Sequence, residues 1–321
     1  MPPPVIPIDP THPDSAAIRQ GAEFLRAGKL VAFPTETVYG LGANALDPAA
    51  VRRVFAAKGR PSSNPLIVHV ADATQLGTVT GGLSPAAARL TEVFWPGPLT
   101  VVVPKTGVVP PEVTGGGPTV AVRHPDHPVA VGLIKAAGVP VAAPSANRSG
   151  QLSPTTAAHV AAGLGDAVDL ILDAGPCRRG LESTVVDVTG PVVRLLRPGL
   201  VTVAQLEAVV GRVEVVTGEP AAGQALPSPG LLAKHYAPRT ALEVAETSDE
   251  AAFLTNLYQT AGLRVATLPL GDDPTAAAAR LYADLHALDA GDFDRIIVPL
   301  PPDEDEWRAV RDRLQRAAAE S

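Results

Sequence analysis

Short apolar runs that alternate with helix signals recur from residue 30 to residue 300, and this alternation narrows the fold more than any other feature. Leu30–Phe33, Leu66–Val70, Leu99–Val103, Thr119–Arg123 and Val139–Ala143 each read as a short strand. Between them lie helix boundaries. Asp14 or Ser15 caps a helix whose inner face is Ala17, Ile18, Ala22 and Leu25. Asp47 and Pro48 open a second helix, which Gly59 ends with positive φ. Ser84-Pro85 opens another, His127–Ala137 is closed by Gly138, and Ser153-Pro154 predicts a further start. Leu170–Asp173, Thr184–Val188 and Val192–Leu196 then follow as strands in close succession, with a helix over about 202–210 after them. Alternation early and clustering late predict a mixed, twisted α/β sheet rather than a purely parallel one. Pro and Gly thicken from Thr217 to Pro238, and a cleaner pattern follows. Strands at Leu242–Val244, Val265–Leu268 and Arg295–Leu300 alternate with helices at Asp249–Ala261, Pro274–Leu288 and Glu304–Ala319. Three such βα units predict a small, three-layer parallel α/β domain. The expected division is a mixed-sheet domain over 13–211, an interdomain linker over 212–238 and the small domain over 239–321. Residues 1–12 read as a Pro-rich leader that packs loosely.

A length of 321 residues suits two domains, and 46% hydrophobic with 18% charged residues is enough to bury a core. The formal net charge of −7 argues against a broad surface that coats nucleic acid, though not against a local basic pocket. Cys177 is the only cysteine, so the chain has no internal disulfide and no Cys-based zinc site. That usage fits a reducing compartment, and the expected location is the cytoplasm. The first residues lack the regions of a signal peptide, and no apolar run reaches membrane-spanning length.

The chemistry is concentrated at the ends of strands. Lys58-Gly-Arg-Pro-Ser-Ser-Asn-Pro-Leu66 joins a helix to a strand, and crowds Lys58, Arg60, Ser62, Ser63 and Asn64 onto one connection. Taken alone, its two cations read as solvated residues favoured at a helix C-terminus. The rest of the chain adds Thr35 and Thr37, His69, Arg123, Ser145 and Asn147, Ser183 with Thr184, and Arg197 at other strand ends. In an α/β sheet such positions converge on one crevice. Four cations with several hydroxyls and few carboxylates favour binding one or two anions over general acid–base hydrolysis. Phosphoryl and nucleotidyl transfer need mainly positioning and charge stabilisation, which this set supplies. Blander readings stand beside these. His69 sits in an apolar strand like a hydrogen-bonded core histidine. Thr37, Ser145 and Asn147 also suit turns. Arg123 ends an apolar strand and requires an anion, with Glu36 and Glu182 as the internal candidates. Cys177 reads as unreactive. No Walker loop, dinucleotide fingerprint, His-Glu-x-x-His or nucleophile elbow is present.

Six motifs in order resemble the YrdC-like family, over about residues 13–200. They are Pro34-Thr-Glu-Thr-Val-Tyr-Gly-Leu-Gly42, Lys58-Gly-Arg-Pro61, Pro65-Leu66, Trp95-Pro-Gly-Pro-Leu-Thr100, Pro144-Ser-Ala-Asn147 and Glu182-Ser-Thr-Val185. Ser228-Pro-Gly230 and Lys234-His-Tyr-Ala-Pro238 resemble the linker of the family's long, two-domain form, although Leu231-Leu-Ala233 departs from its usual segment. The resemblance implies a nucleotidyltransferase that converts L-threonine, bicarbonate and ATP to threonylcarbamoyl-AMP and pyrophosphate. Mg2+ would accompany ATP, and downstream tRNA threonylcarbamoyl-transfer enzymes would use the product to modify adenosine beside the anticodon. It further implies threonine binding by Thr37, His69, Arg123, Ser145 and Ser183. ATP binding falls to Lys58, Arg60, Asn64, Thr119, Asn147, Thr155, Arg197 and Tyr236. Lys58 and Arg60 would stabilise charge in catalysis, no metal ligand is assigned to the protein, and the linker would act as a lid. The alternative is a YrdC-like module that binds double-stranded RNA without synthase activity. Related hydrogenase maturation factors carry extra modules for which this chain lacks both length and cysteines. No site is legible in the C-terminal domain.

Overall fold

The computed structural model describes residues 2–216 and 235–319. Eleven strands form one mixed sheet: β1 (Val5–Pro7), β2 (Val31–Phe33), β3 (Gly40–Asn44), β4 (Ile67–His69), β5 (Leu99–Pro104), β6 (Thr119–Arg123), β7 (Val141–Ala142), β8 (Leu170–Asp173), β9 (Thr184–Asp187), β10 (Val193–Arg197) and β11 (Val213–Val215). Their order across the sheet is β1-β8-β2-β3-β7-β4-β6-β5-β9-β10-β11. Alternate residues of a strand face opposite sides, so each strand feeds two apolar layers. Val31 and Phe33 pack with Ile18, Leu25, Leu133 and Ile134, while Leu30, Ala32 and Leu41 pack with Val51, Val54 and Leu90 on the other side.

The helix boundaries follow local chemistry. Asp14 accepts from the Ala16 amide at 2.9 Å to cap Ser15–Arg26, and Asp47 accepts from the Ala49 amide at 2.8 Å to cap Pro48–Lys58. Gly59 has φ +62°, which ends that helix and turns Lys58 inward. Pairing then lines up the strand ends. Parallel β4 and β6 set His69 opposite Arg123, and antiparallel β4 and β7 set His69 opposite Val141. Parallel β5 and β9 set Leu99 opposite Thr184, the residue after Ser183, and Ser145 bridges to Gly40.

Four expectations are corrected. Residues 5–7 of the leader are β1, an edge strand paired parallel to β8, so the leader does not pack loosely throughout. The helix expected from Ser153-Pro154 begins at Ala157 under a Thr156 cap. The Ser153 hydroxyl is engaged by Glu182, and the Pro154 carbonyl accepts from the Tyr39 amide. Val213–Val215 lies within the stretch read as linker, yet it extends the large sheet beside β10. The last helix is Arg308–Ala318 and not one from Glu304, because Glu304–Trp307 forms turns in which Asp305 accepts from the Ala204 amide. Most of the linker, 217–234, lies outside the described residues.

The smaller sheet is parallel, with β12 (Ala241–Ala245), β13 (Val265–Thr267) and β14 (Arg295–Pro299) in the order β12-β14-β13. Ile297 faces Ala251 of helix Ser248–Thr260, whereas Ile296 and Val298 face helices Pro274–Asp289 and Arg308–Ala318. That second layer continues into Val38, Leu152, Leu181 and Tyr236, so the small domain packs on the large one through a shared apolar core. Among the described residues no helix is long and apolar enough to cross a membrane.

Gly180 marks the tightest approach between the two. It has φ +72°, and a Cβ there would lie 2.2 Å from the Ala279 carbonyl oxygen and 2.6 Å from that of Ala278, in helix Pro274–Asp289. Gly180→Ala is expected to lower stability by about 1–3 kcal/mol or more, through overpacking and backbone strain. Urea unfolding checks this, and a midpoint equal to that of the parent protein refutes it.

Candidate functional site

The ends of β4, β6 and β10 and the loops at Thr35–Gly40, Ala143–Ser145 and Glu182–Ser183 surround one pocket, which His235 and Tyr236 close. Its free space is about 50 Å³. That is well below the roughly 300–1,000 Å³ of clefts that enclose small ligands. Tyr236 has φ +63°, unusual for a bulky residue, and its buried hydroxyl has no hydrogen-bond partner among the described residues.

Each cation at the pocket is held by identifiable acceptors. Arg123 Nη2 lies 2.6 Å from Glu36 Oε1, and its Nε donates to the Gly97 carbonyl at 3.2 Å. Arg60 donates from Nη2 to Asn64 Oδ1 at 2.6 Å and to the Pro65 carbonyl at 2.8 Å. Lys58 Nζ donates to the Ser145 carbonyl at 2.7 Å and to the Asn147 carbonyl, tying the helix end to the Pro144–Asn147 loop. Arg197 donates to the Ser183 carbonyl at 2.8 Å and to its hydroxyl at 3.1 Å, and that hydroxyl meets Thr100 Oγ1 at 2.7 Å.

Burial sets the electrostatics. It holds Lys58 well below its ordinary pKa, with the Arg60 charge adding to the effect. Arg60 is pushed down by the same burial and by Arg197. Burial and Arg123 push His69 down to about 3, so it is neutral at neutral pH. The carboxyl groups behave oppositely. Burial opposes ionisation of Glu36, but the neighbouring Arg123 wins and lowers its pKa. Glu182 is held at about 2, where Arg313 and Arg197 outweigh its burial. Burial pushes the Cys177 thiol up to about 12, which makes it inert.

The structure gathers Thr37, His69, Arg123, Ser145, Ser183, Arg60, Arg197 and Tyr236 around the one pocket. Lys58 and Asn64 stand directly behind its wall, through the Ser145 carbonyl and Arg60. Asn147 faces a second cavity with Gln151 and His159, and Thr155 is buried beside His159. Thr119 is not brought to the pocket: it begins β6, while Arg123 ends it. Of the two acidic residues proposed for Arg123, Glu36 takes it and Glu182 pairs instead with Arg313 at 2.9 Å. Sequence reasoning missed Arg313, Tyr282 and His235. Arg313 was visible in one respect: it falls on the inward stripe of its helix with Ala309, Val310, Leu314 and Ala317. The four pocket cations are between 3% and 8% exposed, so they offer no open surface to a nucleic-acid duplex.

Known families and structures match the chain over nearly its whole length. The family described as Telomere recombination (Sua5, YciO, YrdC) matches residues 23–199, and the Threonylcarbamoyl-AMP synthase C-terminal domain matches residues 201–319. A Bacillus subtilis protein named threonylcarbamoyl-AMP synthase is 43% identical, with 94% of this chain and 92% of that protein covered. A protein of the same name from Pyrococcus abyssi is 41% identical, with 94% of each covered. The crystal structure of P. abyssi Sua5 complexed with L-threonine superposes with a TM-score of 0.93 at 39% identity, covering 98% of this chain and 97% of that one.

The depressed pKa of Glu182 has a consequence for acid stability. Its ionised form is the one the folded state favours, so its contribution is fully present above about pH 4.5 and is lost as pH falls towards about 2. Glu182→Gln is expected to be destabilised at pH 7 by about 1–3 kcal/mol, because Arg313 keeps Asp312 but loses its fully buried carboxylate. The gap to the parent protein should narrow between pH 4.5 and 2 in chemical denaturation series. A gap that does not change with pH refutes the assignment.

Proposed function

The chain belongs to the Sua5/YciO/YrdC family and carries the C-terminal domain of threonylcarbamoyl-AMP synthases, and we propose that it forms L-threonylcarbamoyladenylate and pyrophosphate from L-threonine, bicarbonate and ATP. On this reading it is a nucleotidyltransferase of the cytoplasm. Its product passes to the enzymes that transfer the threonylcarbamoyl group to tRNA. One observation carries the reading. Apart from the Glu36–Arg123 ion pair, every buried side-chain polar atom without a hydrogen-bond partner among the described residues belongs to Asn64, His69, His235 or Tyr236. All four line the pocket or touch a residue that does. Native interiors leave few such groups unpaired, and a cluster of them beside buried cations marks the place of a polar, anionic ligand.

The threonine carboxylate would pair with the Arg123 guanidinium, which Glu36 holds in place. Thr37, Ser145 and Ser183 would supply hydroxyls around the amino acid, and neutral His69 would add no charge against its amine. Lys58, Arg60, Asn64, Thr119, Asn147, Thr155, Arg197 and Tyr236 are assigned to ATP. Bicarbonate yields CO2 with loss of hydroxide. The lone pair of threonine's free amine then attacks the CO2 carbon, and the proton lost from the nitrogen combines with that hydroxide as water to leave a carbamate. A carbamate oxygen attacks the α-phosphorus of ATP, the bond to the β-phosphate oxygen breaks, and pyrophosphate departs. Lys58 and Arg60 would stabilise the charge that grows on the phosphates. Both carboxylates at the pocket are taken by guanidinium groups. Mg2+ would therefore be held by the nucleotide's phosphates, where it neutralises charge. Residues 217–238, of which His235 and Tyr236 line the pocket, are proposed as a lid that shields carbamate and mixed anhydride from water.

Mass spectrometry of a reaction containing Mg-ATP, L-threonine and bicarbonate tests the function. Threonylcarbamoyl-AMP should form only with all three substrates, and nucleotide binding without product would refute the reading. Lys58→Ala should lower kcat by about 10²-fold or more, from lost charge stabilisation, with a smaller change in threonine affinity. Turnover equal to that of the parent protein would remove Lys58 from the mechanism.

A further inference from the structure

We propose that Arg313 is a positioning residue for the pocket, and that the C-terminal domain serves the site by holding the Ser183–Arg197 contact in register. Arg197 and Ser183 both line the pocket and are fixed against each other by the hydrogen bonds described above. Arg313 does not line it. Its guanidinium instead grips the residues that flank both, of which Glu182 also lines the pocket. Nε donates to Glu182, the residue before Ser183, at 2.9 Å. Nη2 donates to the carbonyl of Pro198, the residue after Arg197, at 3.0 Å. One planar, rigid fork therefore sets the spacing of the two loops that carry the pocket groups, which a lysine's single point charge cannot do. Tyr282, also from the C-terminal domain, donates to the same carboxylate at 3.1 Å, and Arg313 lies 4.8 Å from the Tyr236 ring centroid. Asp312 holds the third nitrogen, so the guanidinium has no freedom to turn. The cluster is at most 6% exposed at Glu182 and 1% at Arg313, far drier than an ordinary interdomain ion pair.

The inference rests on the proposed substrates only for its kinetic arm. Two full-length variants test it. Arg313→Lys keeps the charge and loses the fork. Arg313→Met combined with Glu182→Gln removes both charges, so neither is left buried without a partner. Hydrogen–deuterium exchange is followed over peptides containing 182–184 and 197–199, with 99–104 as an internal reference, and KM and kcat are measured for L-threonine and ATP. The expected result is faster exchange in the first two segments alone, and KM raised about tenfold or more for either substrate, as loss of preorganisation dictates, with kcat less affected. Unchanged exchange and KM in either folded variant would overturn the proposal. A fall in kcat at constant KM would overturn it too, because that pattern reports only fewer folded molecules. If Arg313→Lys fails to fold, exchange at 197–199 in the double variant decides, because Glu182 itself lines the pocket and its replacement can move KM directly. If the parent protein makes no product, the substrate reading falls and the exchange comparison still decides the role of Arg313.

Discussion

A cation can be kept out of water only if an anion or a set of dipoles goes in with it. Five cations, Lys58, Arg60, Arg123, Arg197 and Arg313, are buried at or behind the pocket, and only two carboxylates, Glu36 and Glu182, are buried among them. Five less two leaves three positive groups whose partners here are carbonyls, an amide oxygen and a hydroxyl. Dipoles compensate a charge less completely than an anion does. The imbalance appears as the depressed pKa of Lys58 and Arg60, which an incoming polyanion would relieve. The site is thus built with an excess of positive charge, which its substrates would neutralise.

That excess is tolerated because the sheet supplies rigid acceptors. The mixed order of strands brings the ends of β4, β6 and β10 to one edge, and short turns place carbonyls where the cations end. The Lys58 ammonium shows how one group serves two purposes. By donating to the Ser145 and Asn147 carbonyls it fixes the loop whose side chains face the pocket and the neighbouring cavity, and it remains at the pocket wall as a charge. The small domain closes the same edge from outside, through the apolar layer around Tyr282 and the close approach at Gly180.

Much of this was legible in the sequence. Asp14, Asp47 and Ser84 announce their helices because capping depends on neighbours a few residues away, and β6 falls at Thr119–Arg123 as its apolar run predicts. The convergence of Thr37, His69, Arg123, Ser145 and Ser183 follows from their places at strand ends, which is a rule of the architecture. What sequence reasoning missed depends on partners far along the chain. Val5–Pro7 looks like a loose leader until β8 pairs with it, and Ser153 looks like a helix cap until Glu182 takes its hydroxyl. Arg313 reads as one more charge on an arginine-rich helix unless the inward stripe is given more weight than residue type. Thr119 and Arg123 stand at opposite ends of β6, a separation that a resemblance between short motifs does not convey.

The bond from Arg313 to Glu182 spans 131 positions, and a chain is made in one direction. At about 5–20 residues per second, Glu182 waits on the order of 7 to 26 seconds for its partner to be synthesised. Through that interval the loop at 182–183 carries an acid whose permanent counter-ion does not yet exist, so it has reason to stay hydrated while the apolar sheet behind it can already collapse. The Arg313–Glu182 pair is thus among the last contacts of the pocket region that synthesis makes available.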